Sequence, residues 1–402
     1  MVQNSTGVVL MMQVAWQVPN DPGWIGGLNY YINLASAIFS LPERKIEPVL
    51  LGTAKGLPAP LAQCRVLPYP QSPRGGIKRL MDSVQHRYLD NGGNFARYLK
   101  KNGIRLLSHG QLLGNRSPVP AMCWIPDFQH VHLPEFFTPE ECCQRDVSFK
   151  DIAARAQAIV LSSEAAREDF VRLFPEKVHK THVLRFVASP PTQNIPSLAE
   201  VKKKYSLHEP YFHVPNQLWA HKNHSVIVDA LNILHQRGHC PLVVSTGQTS
   251  DRRNLNYFSD LMQKVTKLNL QARMLFLGLI PYQDVAALMQ GAVAMINPSL
   301  FEGWSTTVEE AKSLGKRIIL SNIPVHMEQN PERGLFFEPH NPEALADAIS
   351  HTLAEYDSAA EHDQMQMAIQ KLPERVQSFG RSYQDIVIKV AGDVSRKSIF
   401  EN

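Results

Sequence analysis

Short, continuous apolar runs recur along this chain, and stretches of helical character separate them. A strand that is apolar along its whole length is covered on both faces, as in parallel sheets. Alternation of such strands with helices is typical of doubly wound α/β domains. The predicted fold class is therefore α/β, with strands at residues 7–16, 48–51, 105–108, 121–125, 158–162, 211–214, 242–245, 273–277, 293–297 and 317–321.

The chain is too long for one ordinary core, because 402 residues usually divide into two domains. Residues 189–196 contain three prolines in eight positions, which interrupts both helix and strand. We therefore expect a linker here, with an N-terminal domain at residues 1–190 and a second domain at 191–382. Each is long enough for a doubly wound sheet.

Charge and cysteine usage limit the function classes. A formal charge of +4 suits anionic small molecules or an acidic membrane surface, but it is too weak to argue for nucleic acid. Five cysteines with no C-x-x-C spacing predict neither a disulfide framework nor a zinc site. We see no signal peptide and no bilayer-spanning stretch, so we expect a cytoplasmic protein. Basic, amphipathic residues 74–89 either rest peripherally on the inner face of the plasma membrane or pack on their own sheet.

The strand predicted at residues 293–297 leads through a short loop into a helix. Thr306 and Glu309 have the spacing of a capping box, which predicts that this helix begins near Thr306. Capping the helix start, where the helix dipole favours a solvated acid, is a sufficient explanation for Glu309. A helix that follows a parallel strand presents free N–H groups, so the sequence predicts an anion site here.

Two further acids flank this predicted anion site. Gly303 lets the backbone approach a ligand without a Cβ in the way. Glu302 precedes the helix, at the end nearest a sugar attached to the bound phosphates. Glu310 lies one turn into the helix and can accept hydrogen bonds from a ribose diol. Both could be ordinary solvated helix-start acids, but the order strand, acid, glycine, helix, acid favours a ligand site.

Glu302 and Glu310, in a stretch that opens with Phe-Glu-Gly-Trp-Ser, resemble the E-x7-E signature of retaining glycosyltransferases of family 4, the group 1 enzymes of bacterial polysaccharide biosynthesis. The resemblance implies the GT-B fold, with two facing Rossmann-like domains, a central cleft, no required metal and no cofactor. It implies that residues 383–402 form a helix crossing back to the N-terminal domain. It also implies that Glu302 contacts the donor sugar as a catalytic residue without a covalent role and that Glu310 holds the ribose. The diphosphate would meet the backbone of Gly303, Trp304, Ser305 and Thr306.

Lys222 matches the lysine of the family's G-R-x4-K stretch, whose cations neutralise the diphosphate. Gln217 stands where an arginine is usual. Either His221 or another basic residue supplies the second charge, or the diphosphate is held less tightly. A surface lysine before a helix is the ordinary alternative for Lys222.

Two turns resemble other donor-binding elements of the family. Residues 278–281 resemble the turn that contacts the nucleobase, with Ile280 as the apolar side chain, although an ordinary strand-to-helix turn is as good an account. Gly26 and Gly27 resemble the Gly-Gly loop that approaches the diphosphate or the acceptor. Alone this is a weak signal, and it is not the G-x-G-x-x-G of dinucleotide enzymes.

Asp127 and the histidines after it follow another predicted strand. Many relatives have His-Asp at this position, with the histidine beside the donor sugar, whereas this chain has Pro126-Asp127. His130 or His132 could take that place, or both could simply line the cleft. Asp127 and His130 are therefore candidate catalytic residues.

The predicted function is transfer of a hexose from a nucleoside-diphosphate sugar, with UDP-glucose favoured and GDP-mannose next, to a hydroxyl of a glycan or lipid-linked glycan. The anomeric configuration would be retained. The alternatives are a sugar-nucleotide epimerase of the same fold and a non-catalytic sugar-nucleotide-binding protein. A dinucleotide oxidoreductase is disfavoured.

Overall fold

A computed structural model describes residues 11–17, 25–53, 56–70, 90–191 and 194–400. Over these ranges the chain forms two compact units. The first unit comprises the described residues of Met1–Phe128, Cys143–Phe186 and Glu374–Asn402. The second comprises Gln129–Cys142 and those of Val187–Pro373.

The first unit is built on a parallel sheet whose described strands have the order β3-β2-β1-β4-β5-β6-β7. These strands are Met12–Trp16 (β1), Ile46–Leu51 (β2), Arg65–Leu67 (β3), Leu106–Ser108 (β4), Ala121–Ile125 (β5), Ala158–Leu161 (β6) and Thr181–Val183 (β7). The helices of this part of the chain are Ile25–Phe39 (α1), Gly93–Lys101 (α2), Gln129–His132 (α3), Pro139–Arg155 (α4) and Glu164–Leu173 (α5). Helix α3 and the start of α4 are grouped with the second unit.

The second unit repeats this plan with a parallel sheet of order β10-β9-β8-β11-β12-β13 among the described residues. Its strands are Tyr211–Val214 (β8), Leu242–Ser245 (β9), Met274–Phe276 (β10), Met295–Asn297 (β11), Ile318–Ser321 (β12) and Gly334–Phe337 (β13). The helices are Leu198–Lys204 (α6), His224–Gln236 (α7), Tyr257–Lys267 (α8), Tyr282–Gly291 (α9), Thr306–Leu314 (α10), Pro324–Gln329 (α11), Pro342–Ala354 (α12) and Ser358–Phe400 (α13), which continues into the first unit.

The predicted α/β class with two Rossmann-like sheets is confirmed, and each predicted strand coincides with an observed one, although residues 7–10 lie outside the described ranges. Strands β3, β7 and β13 were not predicted. Each is an edge strand of its sheet and is only partly buried, and polar residues interrupt the apolar run in β3 and β7. Residues Gly334–Phe337 of β13 are apolar, and sequence reasoning missed this strand.

The unit boundaries differ in two places from those predicted. The final helix begins at Ser358 rather than near residue 383, and the chain passes from the second unit to the first after Pro373, inside this helix. Residues Gln129–Cys142 group with the second unit although they lie within the predicted first domain. The sequence pattern of strands and helices does not reveal these two boundaries, because each boundary lies within a helix or beside one.

Both sheets change direction of strand order at one point, between β1 and β4 in the first unit and between β8 and β11 in the second. In the second sheet these two strands are hydrogen-bonded neighbours, with Met295 opposite His213. Loops at the carboxyl ends of strands diverge at such a switch point and leave a crevice that binds ligands in open α/β sheets. Lys222 follows β8 and Glu302 follows β11, so the topology brings both to this crevice.

Two glycines of α13 test how its last part packs in the first unit. A Cβ at Gly380 would lie 2.5 Å from the backbone oxygen of Ala37 in α1, whereas a Cβ at Gly392 would meet nothing within 4 Å. We expect Gly380→Ala to lower the free energy of unfolding by about 2 kcal/mol through overpacking. Gly392→Ala should leave it unchanged or raise it by about 0.5–1 kcal/mol, because alanine favours helix. Equal unfolding midpoints for the two variants in a thermal melt would contradict this packing.

Candidate active site

An ion pair between Lys222 and Glu302 lies at the switch point of the second sheet. The Lys222 Nζ is 2.6 Å from Glu302 Oε1, and the two side chains are only 15% and 10% exposed. Lys222 ends a short 3-10 helix after β8, which places its side chain toward the loop after β11. Burial alone would raise the pKa of the Glu302 carboxyl, but the Lys222 ammonium outweighs burial and the pKa lies below its ordinary value. The two side chains singled out in separate motifs are therefore direct partners.

Serine and asparagine side chains hold the Glu302 carboxylate in place. The Ser299 hydroxyl lies 2.7 Å from both Glu302 Oε1 and Asn297 Oδ1, so its single hydrogen serves one acceptor at a time. Asn297, the last residue of β11, donates from Nδ2 to the Ser305 hydroxyl over 2.8 Å. This network ties the end of the strand to the start of α10 and fixes the loop between them.

The helix cap differs from the predicted capping box. Ser305 is the N-cap of α10, and its hydroxyl accepts a hydrogen bond from the Val308 amide. Gln329 completes the cap: its Oε1 accepts from the Ser305 amide over 3.1 Å, and its Nε2 donates to the Ser305 carbonyl over 3.0 Å. The prediction of a Thr306–Glu309 box is therefore wrong by one residue at the cap. The Ser305 amide, expected at the diphosphate, already has Gln329 as its partner.

The adjacent acids Glu309 and Glu310 are held by different groups. Glu309 is only 2% exposed, accepts from Gln329 Nε2 over 3.1 Å and pairs with Lys312 at 3.2 Å. The expectation that Glu309 is a solvated capping acid is therefore wrong, because it is a buried structural acceptor. Glu310, at 4% exposure, accepts a hydrogen bond from the Tyr282 hydroxyl. Burial raises the pKa of Glu310 to about 7, against a lowering effect of the Tyr282 hydrogen bond.

The histidines around this crevice are buried and neutral. Burial lowers the pKa of His221 and of His224 to about 3, and that of His326 to about 4. His221 therefore carries no charge near neutral pH and does not supply the cation that would replace the usual arginine at Gln217. Sequence reasoning could not separate a neutral core histidine from a charged one, because burial decides the difference.

The loops after β8, β9 and β10 interlock through backbone hydrogen bonds. The Gly247 amide donates to the Gly278 carbonyl over 2.9 Å. A Cβ at Gly247 would lie 2.5 Å from the Asn216 oxygen, so glycine permits this close approach. In the turn after Gly278, Ile280 packs against a buried apolar cluster, whereas Leu279 is 70% exposed. Leu279 is thus the turn's solvent-facing apolar side chain, and sequence reasoning missed it.

The candidate histidines of α3 contact different aromatic rings. The ring of His132 lies 5.2 Å from that of Phe301, the residue before Glu302, whereas His130 is 4% exposed and packs 6.2 Å from the ring of Phe137. Arg253 also contacts Phe137, because its guanidinium lies 4.0 Å over the Phe137 ring. Arg253 also donates from Nη1 to Gln129 Oε1 over 3.3 Å. Arg253 was not predicted, because nothing in its local sequence distinguishes it.

The remaining candidates, Asp127, Gly26 and Gly27, lie in the first unit. Asp127 is paired with Arg145, whose Nη2 lies 2.6 Å from its Oδ1. Gly26 and Gly27 are in the first turn of α1, and a Cβ at Gly26 would meet nothing within 4 Å. Residues 18–24 and the basic residues 74–89 lie outside the described ranges.

Two further observations concern the described residues alone. Within them, none of the helices has the length and apolar character that crossing a bilayer requires. The same ranges contain no cluster of three or more His, Cys, Asp or Glu side chains suited to a metal ion.

The two sheets identify the fold. Two parallel-sheet Rossmann-like units are the GT-B fold, which solved glycosyltransferase structures share. A glycosyltransferase from Rickettsia africae ESF-5 superposes with a TM-score of 0.67 at 14% identity, covering 96% of this chain and 98% of that one. The Anabaena protein HepE, solved in complex with UDP and glucose, gives a TM-score of 0.62 at 15% identity, covering 96% and 99%. At such identities the likeness shows the fold alone.

A family match covers most of the second unit and nearly all of α13. Residues 199–397 match the family of glycosyl transferases group 1, so this part of the chain carries a domain of that family. O-antigen chain mannosyltransferase RfbU of Salmonella typhimurium is 30% identical over 169 residues, which are 37% of this chain and 44% of that protein. The chain thus aligns with less than half of this relative's length.

Loss of the Lys222 ammonium should destabilise the second unit. Lys222→Met leaves the Glu302 carboxylate buried without its counter-charge, which is expected to lower the free energy of unfolding at pH 7 by about 3 kcal/mol. Adding Glu302→Gln removes that charge and should restore most of the loss. Urea unfolding of the two variants and the wild type checks this, and a double variant as unstable as Lys222→Met would contradict it.

Glu310 should make the folded state less stable as pH rises. The ordinary pKa of 4.5 is raised to about 7 in the fold, so between these values only the folded state keeps the proton. The free energy of unfolding therefore falls across this window, and outside the window the titration of Glu310 adds no further change with pH. Glu310→Gln does not titrate, so its stability relative to wild type should increase between pH 4.5 and 7 by up to about 3 kcal/mol. A difference that stays constant across urea melts in this window would contradict the raised pKa.

Proposed function

We propose that this protein is a retaining glycosyltransferase that moves a hexose from a nucleoside-diphosphate sugar to a hydroxyl of a glycan or lipid-linked glycan. The observation that carries the proposal is the Lys222–Glu302 ion pair beside the start of α10, with Glu310 further along that helix. The group 1 family domain covers all three residues. The site would need no metal, since its own cation and helix start neutralise a diphosphate.

The leaving diphosphate would be bound by positive groups of the second unit. Lys222 supplies an ammonium, and the start of α10 supplies the positive end of a helix at Gly303, Trp304 and Thr306. Arg253, whose guanidinium lies 4.0 Å over the Phe137 ring, is the proposed second cation in place of the usual arginine at Gln217. Gly26 and Gly27, in the first turn of α1, remain proposed contacts for the diphosphate or the acceptor.

The two E-x7-E acids would bind the two ends of the donor. Glu302, ionised and fixed by Lys222 and Ser299, would accept hydrogen bonds from the hexose hydroxyls and stabilise positive charge as the glycosidic bond breaks. Glu310 would accept from the ribose hydroxyls. Ile280 and the exposed Leu279 belong to the turn proposed for the nucleobase. Asp127 and His130 remain proposed catalytic residues.

The donor and pathway are proposed from the named relatives. RfbU is an O-antigen chain mannosyltransferase, which supports a mannosyl donor such as GDP-mannose. The HepE complex holds UDP and glucose, which keeps UDP-glucose as the next donor to test. The acceptor would be a growing surface glycan, built at the cytoplasmic face of the membrane with at most peripheral contact.

A nucleotide-sugar thermal-shift panel tests the donor site. GDP-mannose, UDP-glucose and the ADP and TDP sugars are each added to wild type and to Glu310→Ala. One nucleotide should raise the melting temperature of wild type by several degrees at ligand concentrations about 100-fold above Kd. Glu310→Ala should respond weakly, while Lys371→Ala, an exposed surface control, should respond as wild type does. Equal responses of wild type and Glu310→Ala would remove Glu310 from the donor site.

Turnover separates the proposed transferase from its alternatives. The stabilising donor is incubated with and without lipid-linked glycan extracts, and the products are analysed by NMR. Acceptor-dependent release of nucleoside diphosphate, with an anomeric configuration matching that of the donor, is the expected result. Epimerised donor without acceptor, or binding with no turnover of any acceptor, would overturn it.

A further inference from the structure

Tyr282 connects two parts of the proposed donor site. It is the first residue of α9 and directly follows the 278–281 turn proposed for the nucleobase. Its hydroxyl donates a hydrogen bond to Glu310 Oε1. Tyr282 is 36% exposed as a whole residue, but burial raises the pKa of its phenol well above the ordinary value, so the hydroxyl keeps the proton that it donates to the buried Glu310.

The Glu310 carboxylate has little else to hold it. Among the described residues, Tyr282 is the one group whose hydrogen bond to this carboxylate is found. The neighbouring acid Glu309 is bound by Gln329 and Lys312 and does not share this role. A carboxylate has two oxygens and about four lone-pair positions, so one phenol leaves capacity for the two hydroxyls of a vicinal diol.

We infer that Tyr282 is a positioning residue for ribose recognition: its hydroxyl fixes one oxygen of Glu310 and thereby orients the other for the 2′ and 3′ hydroxyls of the nucleotide. This inference rests on the proposed function, in which Glu310 binds the ribose. The phenol also donates to the ionised carboxylate, which burial disfavours, and so preserves its acceptor character near neutral pH. Because the same tyrosine opens α9, the orientation of Glu310 is tied to the turn at 278–281.

A ribose-specific readout distinguishes this role from a merely structural one. Binding of UDP, 2′-deoxy-UDP, GDP and 2′-deoxy-GDP is measured at pH 7.5 by calorimetry on the full chain. Wild type should bind the preferred ribonucleotide about tenfold more tightly than its 2′-deoxy form, as a hydrogen bond to a charged group provides. In Tyr282→Phe this ratio should fall to about twofold, because the carboxylate is no longer held in one orientation.

Tyr205→Phe is the matched control. The Tyr205 hydroxyl donates over 2.6 Å to Asp284 Oδ2, a carboxylate on the same helix as Tyr282, so the variant removes the same atom from the same kind of contact. It should keep the wild-type ratio. Loss of ribose preference in Tyr205→Phe as well would indicate a general disturbance of α9 and overturn the inference.

Glu310→Ala separates failure of the inference from failure of the proposed function. If Glu310→Ala loses the ribose preference and Tyr282→Phe keeps it, Glu310 binds ribose without help from Tyr282 and the inference is wrong. If Glu310→Ala keeps the wild-type ratio, or no nucleotide binds wild type, the donor site itself is wrongly assigned. A lower ratio in both Tyr282→Phe and Glu310→Ala, with Tyr205→Phe unchanged, supports the inference.

Discussion

The contact between Lys222 and Glu302 is the interaction on which the rest of the second unit's site depends. The Lys222 ammonium 2.6 Å away is the main group that holds the pKa of this little-exposed carboxyl below its ordinary value. Hydrogen bonds through Ser299 and Asn297 then connect this ion pair to Ser305, the N-cap of α10. Within the fold the two charges neutralise one another. A bound diphosphate sugar would bring its own charge to Lys222 and its hydroxyls to Glu302, and so would engage both partners of one pair.

The fold could be predicted from the sequence because central parallel strands are apolar along their whole length. Runs such as 121–125 and 242–245 match β5 and β9 without change. The edge strands Arg65–Leu67 and Thr181–Val183 could not be predicted in this way, since each has three residues, begins with a polar residue and is largely exposed or half-buried. The prediction of two Rossmann-like sheets is confirmed, while the passage of α13 from the second unit to the first had no local signature.

The candidate site was predictable where a motif is contiguous and not where the fold assembles it. Glu302 and Glu310 share one segment and were found, but their partners Lys222 and Tyr282 come from other loops, and only Lys222 lies in a motif of its own. Gln329, which occupies the Ser305 amide, comes from α11 and has no sequence signal. The charge state of His221 was also beyond the sequence, because burial, with the nearby Lys222 ammonium, lowers its pKa and leaves it neutral.

The nesting of the second unit within the first unit's sequence bears on the order of folding during synthesis. Residues of the first unit come from both sides of Val187–Pro373. Within that unit the Trp16 indole donates to the Tyr383 hydroxyl over 2.6 Å, and the Lys45 amide donates to Gln384 Oε1 over 2.7 Å. Neither bond can form until the ribosome has released α13. The second unit can therefore fold while the first unit still lacks its last helix.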